Sequence, residues 1–271
     1  MNMNKLSQAM RQWPKCKKEQ AKMAEQLAVK YQHVPKKYEY RPLEERDRAS
    51  IMDMMPEFVK DEMFSQAMKI PAEKMQNLFN YLISMAVRSN PKEYWLSRMV
   101  VDKDTGKNVG VSLRHYYSKN PAKNLYGDVV YKPSKVEEIL GRETDALMEK
   151  FWELYPDEDS CIKDEVWYLK PELRGTGVSQ TFMQYGLDHK KIRDELKVRY
   201  FAGVATTRKT TILVAKSGFM VPYQGAPEVQ NELGQMVPLP DGPITLVIND
   251  IEQNEPLNVK PYWEKMGLVG K

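Results

Sequence analysis

Cysteine, histidine and long apolar runs are all scarce in this 271-residue chain. Two cysteines, Cys16 and Cys161, cannot build a disulfide framework, which points to a reducing compartment and a cytoplasmic location. The three histidines, His33, His115 and His189, lie far apart, and no Cys/His spacing suits zinc, so no metal site is expected. The longest apolar runs are four or five residues, as around 244–248, too short for a membrane span. An apolar signal-peptide core is missing from the amino terminus. GxxxxGK[ST] is absent, which excludes an NTPase P-loop, and so is the GxSxG elbow of many hydrolases.

What is present is unevenly placed. The net charge is +4, yet residues 1–38 carry +7 and the rest of the chain −3. A nucleic-acid binder would put its basic surface on the body, so no nucleic-acid partner is expected. Hydrophobic residues make up 42% of the chain, enough for one large domain or a domain with appendages. In the basic segment Ala21, Ala24, Leu27, Ala28 and Tyr31 recur at three- and four-residue steps, which predicts an amphipathic helix between Pro14 and Pro35. Residues 1–37 therefore read as a helical extension ahead of a domain at 38–271. The extension either packs on that domain, serves a partner or a membrane surface, or is disordered.

From residue 38 the pattern changes. A strand is expected at 38–43, then a helix through Ile51 and Met55 that ends near Pro56. Met75, Leu78, Phe79, Leu82, Ile83, Ala86 and Val87 form a helical stripe. Strand-like runs at 94–101 and 109–117, joined by turn residues at 102–107, predict a hairpin. Residues 118–160 read as an insertion with a helix bearing Leu147, Met148, Phe151, Trp152 and Tyr155. Its neighbourhood, 141–165, carries a local charge of −6: a solvated helix face, or an acidic lip that attracts a cationic substrate. A strand at 161–170 leads through a glycine turn into a long helix through Val178, Phe182, Tyr185, His189 and Ile192. A strand at 198–205, a helix at 208–217 and strands at 218–223 and 244–251 follow. Strands alternating with helices after an antiparallel hairpin predict a mixed-sheet α/β domain.

The most informative stretch is Lys170-Pro171-Glu172-Leu173-Arg174-Gly175-Thr176-Gly177-Val178-Ser179. A strand ends, the chain turns at Pro171, and two glycines open a helix. Free N–H groups at a helix start favour an anion, and glycine lets the backbone approach it closely. The turn therefore reads as a pyrophosphate seat, with a purely structural turn as the alternative. GxGxxG is incomplete and the turn comes late in the chain, which disfavours a dinucleotide.

These residues resemble the acyl-CoA-binding motif of the GCN5-related N-acetyltransferase superfamily: Arg or Gln, two residues, Gly, one residue, then Gly or Ala. Arg174, Gly177 and Ser179 stand at those positions, Ser179 being a departure to another small residue. Residues 205–219, a helix ending in Gly218-Phe219, resemble a second family element. Asp61-Glu62 is similar to the acidic dipeptide of the arylalkylamine N-acetyltransferase-like branch. The resemblance implies a mixed, mostly antiparallel central sheet flanked by helices, with the inserted helix and the N-terminal extension added to it. It implies acetyl-CoA as co-substrate and a small-molecule primary amine as acceptor, an arylalkylamine fitting best.

Further implications concern individual residues. Trp167, Tyr168 and Leu169 would line the pantetheine arm, and Arg174, Gly175, Thr176, Gly177, Val178 and Ser179 would hold the pyrophosphate. An amine with the pKa of lysine is protonated at pH 7, and reaching its free form costs about 4 kcal/mol, so a proton acceptor is needed. Glu62 and Glu165 are the two candidates; strand alternation puts Glu165 on the face of Trp167 and Leu169. The tyrosine that many members place before Gly-Phe is replaced by Val214. Thr207 and Thr211, four apart, resemble hydroxyl positions of the arylalkylamine branch that could serve the departing thiolate, with helix capping as the alternative. The missing tyrosine and Ser179 also fit a degenerate CoA-binding module, and an open groove would fit a protein or peptide acceptor.

Overall fold

The computed structural model describes residues 13–14, 16–88, 95–120, 123–124, 131–254 and 257–270. The first twelve residues of the extension and Tyr94, where a strand was expected to begin, lie outside the described residues. Strands β1 (Tyr38–Pro42), β2 (Arg98–Asp102), β3 (Asn108–Ser118), β4 (Ser160–Leu169), β5 (Tyr200–Ala205), β6 (Met220–Gln224) and β9 (Thr245–Asp250) form one sheet in the order β1-β2-β3-β4-β5-β9-β6. Only β4 and β5 run parallel; every other neighbour is antiparallel. A separate hairpin, β7 (Glu228–Gln230) with β8 (Met236–Pro238), rises between β6 and β9. Strands β1 and β6 are the free edges of the sheet.

Each strand sends alternate residues to opposite faces, and both faces are covered. One face packs α2 (Arg48–Asp61) and α4 (Gln76–Arg88) against Met99, Val111, Leu113, Val166 and Tyr168. Beside them α3 (Met63–Met68) and α5 (Lys135–Leu154) cover Cys161, Ala202, Leu246 and Ile248. Phe151 and Met148 of α5 are fully buried there, so the helix of the 118–160 segment forms part of the core. Ser134 and Glu137 make a reciprocal capping box at its start, and Glu137 also accepts the Leu78 N–H at 2.7 Å, tying α5 to the first turn of α4.

On the other face, α6 (Val178–Phe182) and α7 (Arg208–Lys216) flank the sheet, with α1 (Lys17–Lys30) and α8 (Lys260–Lys265) outside α6. Helix α1 buries Ala24 and Ala28, and its Ala28 carbonyl accepts the Trp263 Nε1 proton at 2.9 Å. Tyr262 donates to the Ala21 carbonyl at the same distance. The N-terminal helix is thus clamped to the C-terminal one.

Two helix boundaries differ from expectation. Pro56 lies inside α2, which continues to Asp61 because Met55 and Val59 keep packing on Ile70, Met75 and Phe79. The long helix expected after the glycine turn breaks after one and a half turns. Gly186 adopts φ +67°, its carbonyl accepts from Arg98 at 3.1 Å, and its N–H donates to Asn258 at 3.0 Å. Asp188 then caps a new turn by accepting from the Lys191 N–H.

Trp263 is fully buried among Tyr40, Tyr185 and the α1 face. Trp263→Ala should lower the unfolding free energy by about 3–5 kcal/mol in urea titrations, the range for truncating a large buried side chain.

Candidate active site

Strand β4 has one residue too many opposite β3. Val166 pairs with Leu113 and Asp164 with Arg114, leaving Glu165 as a bulge. A bulge bends and twists its strand. Parallel pairing with β5 stops there, at Asp164–Gly203, so the β5-facing edge of Val166–Leu169 has no ladder partner among the described residues. The strands part into a cleft of about 510 Å³. Its walls are Trp167, Tyr168 and Leu169 of β4, Arg174 and Ser179 of the glycine turn, the α2–α3 junction around Glu62, the start of α7, and Asp241.

The turn presents free donors. The backbone N–H groups of Gly175, Gly177, Val178 and Ser179 have no acceptor among the described residues. Gly177, at φ +95°, is the residue before α6, and no side chain could occupy it, because a Cβ there would overlap the Tyr31 ring. Arg174 forms an ion pair with Asp61 across the cleft mouth; both are well exposed, so the pair orients the side chains more than it stabilises the fold. Trp167 and Leu169 face the α6 side, while the Tyr168 hydroxyl turns to α2 and donates to Glu57 at 2.6 Å.

Glu62 ends α2 and caps α3. Its carboxylate accepts the N–H of Phe64 at 3.0 Å, the N–H of Ser65 at 2.7 Å and the Ser65 hydroxyl at 2.9 Å. Burial raises its pKa, the bound donors counteract this, and the net position is above the ordinary carboxylate value. It also borders the cleft.

Glu165 is elsewhere. The bulge reverses the alternation, so Glu165 lies not with Trp167 and Leu169 but on the opposite face, 2.9 Å from Lys163 Nζ and 3.6 Å from His115 Nε2. Burial is the strongest single influence and raises its pKa, but the charge and hydrogen bond of Lys163, together with His115, hold it below the ordinary carboxylate value. Burial likewise opposes the Lys163 charge, and Glu165 restores it to above the ordinary lysine value. His115 is pushed down to about 4 by burial and is neutral at pH 7. Glu165 is thus a half-buried, paired carboxylate outside the cleft lining.

Of the two threonines, only Thr207 lines the cleft. Thr207 is the N-cap of α7, its hydroxyl accepting from the Thr210 N–H at 3.1 Å, and it borders the cleft. Thr211, one turn on, donates its hydroxyl to the Thr207 carbonyl at 3.1 Å but does not border the cleft. Thr211 is buried against the sheet, 2.8 Å from the Thr245 hydroxyl. Thr206 and Thr210 stand at the cleft in its place, together with Lys209. The threonine-rich start of α7 was visible in the chain; the loop that brings Asp241 to the cleft carried no signal. Val214 is buried in the core, Cys161 is inert in the interior with its thiol pushed up by burial, and His189 packs with its Nε2 3.2 Å from Gln184. Among the described residues no cluster could hold a metal ion, and no helix is long and apolar enough to cross a membrane.

No protein-family model and no curated protein sequence matches the chain. Solved structures do. A putative arylalkylamine N-acetyltransferase 7 from the mosquito Aedes aegypti superposes with a TM-score of 0.61 at 14% identity, over 79% of this chain and 87% of its own. A mosquito arylalkylamine N-acetyltransferase-like protein 5b gives 0.60 at 15%, over 79% and 99%. A polyamine N-acetyltransferase of Drosophila melanogaster gives 0.58 at 14%, over 79% and 99%. The chain has the fold of these acetyltransferases, as the glycine-turn resemblance implied.

Unfolding returns the buried histidines to their ordinary value of 6.5, whereas the native state holds His115 near 4 and His189 near 3. The unfolded chain therefore binds protons that the native chain does not, and stability falls as pH drops from about 6.5 to about 4. Urea midpoints should decline over that window. His115→Gln should flatten the decline by up to one proton, and an unchanged slope would show that His115 is charged in the native protein.

Proposed function

We propose that the chain is an acetyl-CoA-dependent N-acetyltransferase acting on a small primary amine. The observation that carries this reading is the parting of β4 from β5, with unpaired amides at one end of the cleft and the buried Glu62 carboxylate at the other. Bound acetyl-CoA would supply the activated acetyl group as a thioester. The free edge of β4 along Trp167–Leu169 fits an amide-bearing pantetheine arm. Arg174, Thr176 and the amides of Gly175, Gly177, Val178 and Ser179 fit its pyrophosphate. Residues 38–271 would then be the acyltransferase domain and residues 1–37 its extension.

Glu62 is the proton acceptor in this reading. Its raised pKa brings it nearer the working range of a base, and the donors of Phe64, Ser65 and Thr206 fix the carboxylate in place. Thr206, Thr207 and Thr210 place hydroxyls at the cleft where a departing thiolate would need donors. Asp61, Glu62 and Asp241 favour a cationic acceptor, and Phe58, Met63 and Trp167 provide apolar wall for an aryl or alkyl body.

A second reading, a CoA-binding module without turnover, draws on Val214 at the tyrosine position and on the hydrogen-bond load already on Glu62. Two measurements separate them. Calorimetry should show acetyl-CoA binding that an Arg174→Ala, Gly177→Glu double variant loses; no binding by folded wild type would end both readings. Thiol release with a panel of arylalkylamines and diamines should then show turnover, and Glu62→Gln should lower kcat at least about a hundredfold. A base acts only when unprotonated, so activity should fall as pH drops through the Glu62 pKa, and the variant should lack that limb. Binding without turnover for any amine would favour the module.

A further inference from the structure

The segment ahead of β1 touches the glycine turn directly. Tyr31 follows the last residue of α1, and its ring lies against Gly177 so closely that only glycine fits there. The Tyr31 hydroxyl donates to Gln180 Oε1 at 2.7 Å, and His33 Nε2 donates to the Thr176 carbonyl at 3.2 Å. Three residues of the turn and of α6 are therefore backed by one short stretch of the extension. Tyr31 does not border the cleft, so it supports the turn from behind. The support is itself anchored, since α1 is held by the Trp263 and Tyr262 hydrogen bonds and by the burial of Ala24, Ala28 and Val34.

The turn needs such support. Gly175 has open space around its Cα, and both glycines occupy left-handed backbone that they would share with many other conformations in a free loop. Ordering each such residue costs conformational entropy. A turn ordered in advance spares the ligand that cost, which is how preorganisation raises affinity. Beyond Tyr31 and His33, the Gly177 carbonyl accepts from the Thr181 N–H at 3.1 Å and hydroxyl at 3.0 Å, and exposed Asp61 pairs with Arg174; of these only Tyr31 packs against the Gly177 Cα.

We infer that the N-terminal extension is a working part of the cofactor site, with Tyr31 as the positioning residue that sets the Gly175–Gly177 turn for anion binding. The inference rests on the acetyltransferase reading for the identity of the ligand. The Tyr31 ring does the positioning, and the hydroxyl adds the bond to Gln180.

The test uses the full chain and two readouts. In calorimetry with acetyl-CoA, Tyr31→Ala should weaken binding about tenfold, equivalent to about 1.4 kcal/mol. Tyr31→Phe should remain within about twofold of wild type. In steady state, Tyr31→Ala should raise KM for acetyl-CoA and leave kcat at saturation unchanged, a split that general destabilisation would not produce. Hydrogen exchange of the ligand-free protein should show faster exchange at residues 174–180 in Tyr31→Ala alone. Tyr31→Leu supplies a milder truncation should the alanine variant fold poorly. Wild-type affinity in folded Tyr31→Ala or Tyr31→Leu overturns the inference and leaves the acetyltransferase reading intact. Absence of acetyl-CoA binding by wild type overturns both, and is recognised because the wild-type titration alone reports it.

Discussion

Everything at the cleft depends on a single extra residue in β4. With Glu165 inserted opposite β3, the strand bends just where its pairing with β5 ends, and the sheet opens instead of closing. The bulge is held from both faces. Glu165 is locked to Lys163 on one side, and on the other Asp164 pairs with Arg114, whose guanidinium also donates to the Met183 carbonyl. A buried ion pair is a weak source of net stability, because desolvation offsets most of the attraction, but losing one partner leaves a charge stranded in the interior. These pairs therefore act chiefly to make one register of β4 the only tolerable one.

Glu62 shows how the same economy of residues works at the other end of the cleft. A helix start needs acceptors for its first N–H groups, and Glu62 supplies them to Phe64 and Ser65. In doing so it is desolvated and fixed, and those are the conditions that move a carboxylate upward in pKa and hold it in one orientation. The break between α2 and α3 is thus both a structural cap and the means of placing a buried carboxylate beside the opened strands.

Much of this was legible in the residues, and the exceptions have local causes. The α4 stripe, the 102–107 hairpin, the helix bearing Leu147 and Phe151 and the glycine turn all follow from short-range periodicity and turn chemistry, and all are present. The bulge was not legible, because it is a property of two strands and not of one. That is why Glu165 was expected on the wrong face. The spacing from Val178 to Tyr185 continues smoothly into His189 and Ile192, which hid the break at Gly186; contacts from Arg98 and Asn258, far away in the chain, impose it. Thr211 kept its helical position but turned to Thr245, a partner supplied by β9. The β7–β8 hairpin and α8 were missed altogether, being short and weakly patterned.

The two outer strands have a consequence for how the molecule behaves among its own copies. An open sheet offers a row of unpaired donors and acceptors on which another chain can add a strand. Here β1 ends in Pro42 and β6 has Pro222 at its centre, where the register with β9 also shifts between Met220 and Tyr223. Proline has no N–H to give, and an irregular edge cannot be matched by a straight partner. A sheet already pried open between two of its central strands is thereby kept from growing at its rims, so crowding at high concentration meets two edges that do not template further strands.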